Sequence, residues 1–229
     1  MPTELNATTA ATLVLVCKRP SLGHGKQRLA AQIGEPQALR VAEQLLGCAL
    51  EDLCAWPGPT VIAPDMAEHL DWARALAPEA LCLPQASGNL GERLNALDHS
   101  LRAAGHCRLV FIGSDAPALR PEHYQRVRIA LGEADTVLIA ASDGGVTLMA
   151  SNRPWPDLAA LPWSTAELGQ ALAEACRKAG HSLTVCGQTF DIDEQADLTR
   201  ARCELADDQR PARRSLRGIL ARLHLGASA

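Results

Sequence analysis

Four short segments carry side chains whose types and spacing could do chemistry. The first is Lys18-Arg19-Pro20-Ser21-Leu22-Gly23-His24-Gly25-Lys26-Gln27-Arg28, with four cations in eleven residues. Gly23 and Gly25 let backbone N–H groups approach an anion, and the cations would hold phosphate oxygens. The segment is neither GxxxxGK[ST] nor GxGxxG, so an ordinary basic surface loop stays open beside a phosphate site. The second is Gly113-Ser114-Asp115-Ala116-Pro117, directly after the apolar run Arg108–Ile112. A carboxylate at the tip of a buried strand is a hard oxygen ligand suited to Mg²⁺ or Mn²⁺ beside phosphates. Asp115 could also simply cap the next turn. The third is Phe190-Asp191-Ile192-Asp193. In extended chain the two carboxylates share one side, and they repel unless a cation lies between them. Asp193 could instead cap a helix beginning near Gln195. The fourth, Ser142-Asp143-Gly144-Gly145, is a tight-turn sequence between two apolar runs. Its glycines would also let a substrate approach while Asp143 faces it.

The elements that must position these segments follow from the apolar pattern. Thr12–Cys17 is continuously apolar, as expected for a strand covered on both faces. Ala38–Leu53 has apolar residues on one helical face. Thr60–Ala63 and Leu81–Leu83 read as strands, with a short helix over Met66–Leu76 between them. Asn89 and Glu92 fit a capping box that opens a helix through Leu101. Arg108–Ile112 is a strand, and Pro121 starts a helix to about Leu131. Thr136–Ala141 and Val146–Ala150 flank the Asp143 turn as an antiparallel hairpin. Ser164 or Thr165 is expected to cap a helix to Ala179. Leu183–Cys186 is a late strand, and Gln195–Leu205 is helical. Strands alternating with helices predict an α/β fold with a mostly parallel sheet, in one domain over residues 12–205.

Composition removes several function classes. The 229-residue chain has a net charge of −4 and is 47% hydrophobic, so it can bury a real core. It lacks the basic field of a nucleic-acid binder, and seven aromatic residues offer little for base stacking. Only Lys18, Lys26 and Lys178 are lysines among 22 basic residues, and two of the three lie in the first segment. None of the eight cysteines makes a CxxC or zinc-ligand spacing. They are expected to be free, mostly buried thiols in a reducing, cytoplasmic setting. The N-terminus has no signal-peptide pattern and no apolar run is long enough to span a membrane, so no membrane partner is expected. In the tail, 206–229, Arg210, Arg213, Arg214 and Arg217 would share one helical face. A solvated face beside Asp207 and Asp208 is favoured over a nucleic-acid or acidic-partner patch.

Taken together, the segments resemble a known family. Val16–Leu29 (VCKRPSLGHGKQRL) is similar to the FAKxPxPGxVKTRL opening of bacterial GT-A-like transferases associated with selenodomain or radical-SAM proteins. The resemblance continues through Asn89–Leu94 (NLGERL), Gly113–Pro117 (GSDAP), Asp143–Ala150 (DGGVTLMA), Pro162–Thr165 (PWST) and Asp191–Leu198 (DIDEQADL). The wider group includes guanylyltransferases that activate phospholactate. The resemblance implies a Rossmann-type GT-A-like sandwich with a mostly parallel mixed sheet. It implies that Lys18, Gly23, Lys26, Arg28, Glu92 and Arg93 hold a nucleotide. Asp115, Asp191 and Asp193 would hold Mg²⁺ or Mn²⁺. Asp143, Gly144 and Ser164 would face a small-molecule acceptor, with Asp143, Lys26 and Arg28 catalytic. The implied activity is metal-dependent glycosyl transfer from a nucleotide-sugar, or nucleotidyl transfer to a small phosphorylated acid or cofactor precursor. A non-catalytic nucleotide-binding module is the alternative of another class. Two departures stand out: Lys-Thr-Arg is Lys26-Gln27-Arg28 here, and the family's aromatic pair after Asp-Gly-Gly is Val146-Thr147.

Overall fold

The computed structural model describes residues 10–223. The first nine residues and the last six of the tail lie outside the described residues. Seven strands form one sheet in the order β3-β2-β1-β4-β6-β5-β7. They are β1 (Thr12–Cys17), β2 (Thr60–Pro64), β3 (Leu81–Cys82), β4 (Leu109–Ile112), β5 (Thr136–Ala141), β6 (Val146–Ser151) and β7 (Leu183–Thr189). Only β6 runs against its neighbours, pairing antiparallel with both β4 and β5. The other pairings are parallel. The expected α/β sheet and the Asp143 hairpin are thus both present.

Among the described residues the α-helices are α1 (Gln27–Ile33), α2 (Glu35–Ala55), α3 (Leu70–Leu76), α4 (Leu90–Ala103), α5 (Pro121–Ala130), α6 (Leu168–Lys178), α7 (Gln195–Glu204) and α8 (Pro211–Leu220). The two-residue alternation of the strands separates two cores. Leu13, Leu15, Ile62, Val110 and Ile112 join α2 and α5 on one face. Val14, Val61, Phe111 and Met149 join α4 and α6 on the other. The chain leaves β1 for β2 and β3, then returns to β4 on the other side of β1. That reversal creates a crevice at the carboxyl ends of β1 and β4, where ligands of open α/β sheets bind. The segment after β1 holds Lys18–Arg28, and the segment after β4 holds Asp115.

Several boundaries differ from expectation for identifiable reasons. The helix expected from Ser164 begins at Leu168, because Ser164 has φ 64 and cannot enter a right-handed helix. The Met66–Leu76 segment starts as a 3₁₀ turn over Ala67–His69. β7 continues to Thr189, which brings Asp191 and Asp193 to the same sheet edge as Asp115. The cysteines are all free, but Cys54, Cys107 and Cys203 are exposed rather than buried.

The arginine tail is not a solvated face. Helix α8 packs with α1, α2 and α7 around a third core that includes Leu216 and Leu220. Arg213 is 0% exposed. It is bonded to Asp52 at 2.6 Å and Glu51 at 2.9 Å, and it donates to the carbonyls of Cys48 and Pro117. Arg210 reaches Asp52 and the Leu119 carbonyl. Burial raises the Asp52 pKa even though both arginines oppose that shift. Removing Arg213 would leave the buried Asp52 carboxylate with Arg210 and the Tyr124 hydroxyl alone, and breaking a buried ion pair costs about 3–5 kcal/mol. Arg213→Ala should therefore lose about that much in a urea melt, while exposed Arg214→Ala stays within about 0.5 kcal/mol of wild type. Equal, small losses for the two variants would show that the clamp is not structural.

Candidate functional site

One cavity of about 760 Å³ opens at the carboxyl edge of the sheet. Among the predicted residues, Lys18, Lys26, Arg28, Arg93, Asp115, Asp143, Ser164, Asp191 and Asp193 line it. Three do not. Gly23 lies on the exposed outer turn of its loop, where its carbonyl accepts from the Gln27 amide. Glu92 closes the capping box at the start of α4, accepting from the Asn89 backbone N–H while Asn89 accepts from its own. Gly144, at φ 95, packs so tightly on Ala166 that a Cβ would lie 2.1 Å from that carbonyl oxygen. It positions the hairpin against the segment before α6 and does not face the cavity.

Lys26 is the centre of the site. Its ammonium donates to Asp115 Oδ2 at 2.9 Å and to Asp193 Oδ1 at 2.8 Å. Arg28 takes the other Asp193 oxygen at 2.9 Å. Lys26 itself caps α1 with φ 47. Lys26 and Ser164 are the two non-glycine residues with left-handed backbone among those described, and both line this cavity. Such conformations cost about 1–3 kcal/mol each and concentrate at functional sites. Desolvation works against the Lys26 charge, but Asp115 and Asp193 outweigh it and raise its pKa. Burial likewise pushes Asp115 up, yet the Lys26 ammonium holds it below the ordinary carboxylate value, with Lys18 adding a smaller effect.

The acidic side is assembled from two loops that hold each other. Ile192 N–H donates to the Asp115 carbonyl, and the Ile192 side chain is fully buried. Asp191 and Asp193 therefore face the cavity together, as their alternation requires. Asp193 does not cap α7. Glu194 holds the N-cap position and shares a capping box with Asp197, whose carboxylate accepts from the backbone N–H groups of Asp193 and Glu194, which leaves the Asp193 carboxylate for the two cations. Asp191 has no side-chain partner among the described residues. Burial, then the charges of Asp115, Asp143 and Asp193, raise its pKa to about 6. The exposed Asp143 carboxylate accepts from Gly145 N–H at the hairpin tip.

Two groups that matter here are not among the candidate site residues, although Trp163 lies within the Pro162–Thr165 motif. Gln85 is buried behind the cavity, donating to the carbonyls of Ala63 and Cys17 and accepting from Arg93. Trp163 walls the cavity and is fixed by its indole N–H on the Leu158 carbonyl. Cys17 also lines the cavity, but burial, with Asp65 and Cys82 adding to it, pushes its thiol up to about 12. It is no thiolate nucleophile at neutral pH.

Among the described residues, no group of three or more His, Cys, Asp or Glu side chains is arranged to hold a metal ion by itself. The donor set still suits a hard divalent ion. Asp193 is taken up by Lys26 and Arg28, while Asp191 and one oxygen of Asp115 are not engaged by any cation. Mg²⁺ commonly binds through one or two carboxylates completed by substrate phosphates and water, rather than in an all-protein cage.

The comparisons agree with this architecture. The family described as an uncharacterized protein conserved in bacteria, DUF2064, matches residues 53–165. That stretch contains Arg93, Asp115, Asp143 and Ser164 but neither the Lys26 loop nor the Asp191–Asp193 segment. No curated protein matches the sequence. In structure the chain is similar to a protein of Desulfovibrio desulfuricans G20 assigned to the nucleotide-diphospho-sugar transferases. The TM-score is 0.81 at 22% identity, over 92% of this chain and 94% of that one. It is also similar to a cytidylyltransferase of Leptospira borgpetersenii, with TM-score 0.57, 12% identity and coverage of 93% and 94%. A third likeness is the 4-diphosphocytidyl-2C-methyl-D-erythritol synthase of Anaerococcus prevotii, with TM-score 0.54, 11% identity and coverage of 87% and 99%. The chain therefore shares a single-domain mixed α/β fold with these proteins.

Asp191 gives this site a pH signature. An unfolded Asp titrates near about 3.9, and the folded Asp191 near 6. Between those values the folded chain binds more protons than the unfolded one. Stability therefore falls as pH rises through that window, and the full cost remains above it. In metal-free buffer Asp191→Asn should be more stable than wild type at neutral pH, by at most about 3 kcal/mol. The gain should shrink toward zero as pH falls to about 4. Melting temperatures that differ by the same amount across the whole range would contradict the raised pKa.

Proposed function

We propose that the protein is a metal-dependent transferase that acts on a nucleotide-sugar and moves the glycosyl group to a small-molecule acceptor. The observation that carries this reading is the Lys26 bridge. It draws a cation-rich loop and two acidic loops into one cavity at the switch point of a nucleotide-transferase fold. Phosphate oxygens gain negative charge as a nucleoside diphosphate departs. Preorganised cations at that point lower the barrier because they need no reorganisation during the reaction.

In this reading Lys18, Lys26 and Arg28 orient the diphosphate and offset its charge. Asp193 holds Lys26 and Arg28 in position rather than binding a metal. Asp115 and Asp191 hold Mg²⁺ or Mn²⁺, which supplies Lewis-acid stabilisation of the phosphate oxygens. Asp143, on the hairpin tip across the cavity, accepts the proton of the acceptor hydroxyl. Ser164, in its left-handed turn, lines the same cavity. Nucleotidyl transfer is the second reading, favoured by the cytidylyltransferase of Leptospira among the structural likenesses. Lys26 and Arg28 would then stabilise the α-phosphate while pyrophosphate leaves. The two reactions are separated by their released product, a nucleoside diphosphate or pyrophosphate.

A melting scan tests the shared claim. Carboxylates and phosphates repel without a cation, so metal and nucleotide should stabilise the fold together well beyond either alone. Asp115→Asn keeps the shape and removes the charge, and it should lose most of that synergy while remaining folded. Full synergy in Asp115→Asn would remove Asp115 from the metal site.

A further inference from the structure

The corner of the cavity formed by Gln85 and Arg93 is more than the phosphate chemistry requires. Arg93 lies in the first turn of α4, where the helix dipole disfavours a cation. No carboxylate pairs with it among the described residues. Of the five N–H groups of a guanidinium, one is engaged: Nη1 donates to Gln85 Oε1 at 2.9 Å. Its Nε is buried with no partner, so the terminal nitrogens are the donors that a ligand in the cavity would meet. Gln85 is itself 7% exposed and is pinned by its amide to the Ala63 carbonyl at 2.7 Å and the Cys17 carbonyl at 3.4 Å. A cation is thus held by Gln85 at an unfavourable place in a cavity that Leu90, Leu94 and Trp163 also line.

Its position relative to the phosphate site indicates its ligand. Gln85 is anchored to the ends of β1 and β2, so this corner lies on the β2 side of the Lys18–Arg28 loop. Asp115 and the other carboxylates lie on the β4 side and beyond. A nucleotide with its phosphates at Lys26 can extend its base toward the acidic hairpin or toward this apolar corner. The apolar corner suits a planar base.

We infer that Arg93 reads the nucleobase and selects one that offers two adjacent hydrogen-bond acceptors. Guanine does so with O6 and N7, and cytosine with O2 and N3. Adenine sets the N6 donor beside N7, and uracil separates O2 from O4 by the N3–H donor. The inference rests on the nucleotide reading above and narrows it to guanine or cytosine nucleotides.

The test is titration of the full chain, in Mg²⁺, with GTP, CTP, ATP and UTP, followed by calorimetry or Trp fluorescence. GTP or CTP should bind at least about tenfold more tightly than ATP and UTP, in line with a bidentate arginine contact. A drop with 7-deaza-GTP would assign the guanine O6/N7 edge, and preference for CTP the cytosine O2/N3 edge. Arg93→Met should bring the four nucleotides within about threefold of one another while binding through the phosphates persists. Gln85→Leu, which frees Arg93 without removing it, should weaken the preference in the same direction. Equal affinity for all four in wild type, or an undiminished preference in Arg93→Met, would overturn the inference and leave the nucleotide reading standing. No binding of any nucleotide would overturn both.

Discussion

The site depends on one ammonium group held between two carboxylates. Lys26 comes from the loop after β1, Asp115 from the tip of β4 and Asp193 from the loop after β7, separated from Lys26 by 89 and 167 residues in sequence. The Lys26 side chain is only 12% exposed, while Asp115 and Asp193 are 39% and 33% exposed, so water reaches these contacts from the carboxylate side. Each charge-assisted bond contributes about 1.5–3 kcal/mol, enough to offset the left-handed backbone of Lys26. Removing the ammonium would leave Asp115, Asp191 and Asp193 facing one another with Arg28 as the remaining cation bonded to any of them. The ion triad therefore both shapes the cavity and sets its charge.

The scaffold behind the cavity supports that triad from the opposite side. Arg213 donates to the Pro117 carbonyl and Arg210 to the Leu119 carbonyl, in the segment that follows Asp115. Both arginines are held by Asp52 of α2, which also accepts from the Tyr124 hydroxyl. Ile192 ties the Asp191–Asp193 loop to the Asp115 carbonyl from within the third core. The acidic loops are thus fixed by buried contacts, and the polar end of the cavity is left to its ligands. This is the division of labour expected where a rigid scaffold carries loop-borne chemistry.

Much of this was legible in the sequence because the chemistry sits at strand ends. Uninterrupted apolar runs located β1 and β4, and the rule that ligands gather at their carboxyl ends placed Lys26 and Asp115 together. Alternation in Phe190–Asp193 correctly put Asp191 and Asp193 on one side and Ile192 in the core. What remained hidden was competition between polar partners. A sequence shows that Asp193 can cap a helix, not that its neighbour Glu194 takes the N-cap position in a capping box with Asp197. It shows arginines on one face of α8, not that Asp52 and Glu51 on α2 lie opposite them and draw Arg213 into the interior. The sequence of Asn89–Leu94 allows Glu92 to be a cap or a ligand, and the geometry assigns it to the cap. Gln85 is a single amide in an irregular segment, and its two backbone acceptors exist only once β1 and β2 pair.

The most direct measurement is a crystal structure grown with Mn²⁺ and a nucleoside diphosphate, with anomalous data collected at the manganese edge. One manganese peak should lie beside Asp115 and Asp191, bridged to phosphate oxygens that also contact Lys26 and Arg28. Asp193 should remain bonded to those two cations. A metal peak away from Asp115 and Asp191, or a diphosphate bound outside the reach of Lys26, would contradict the proposed role of the triad.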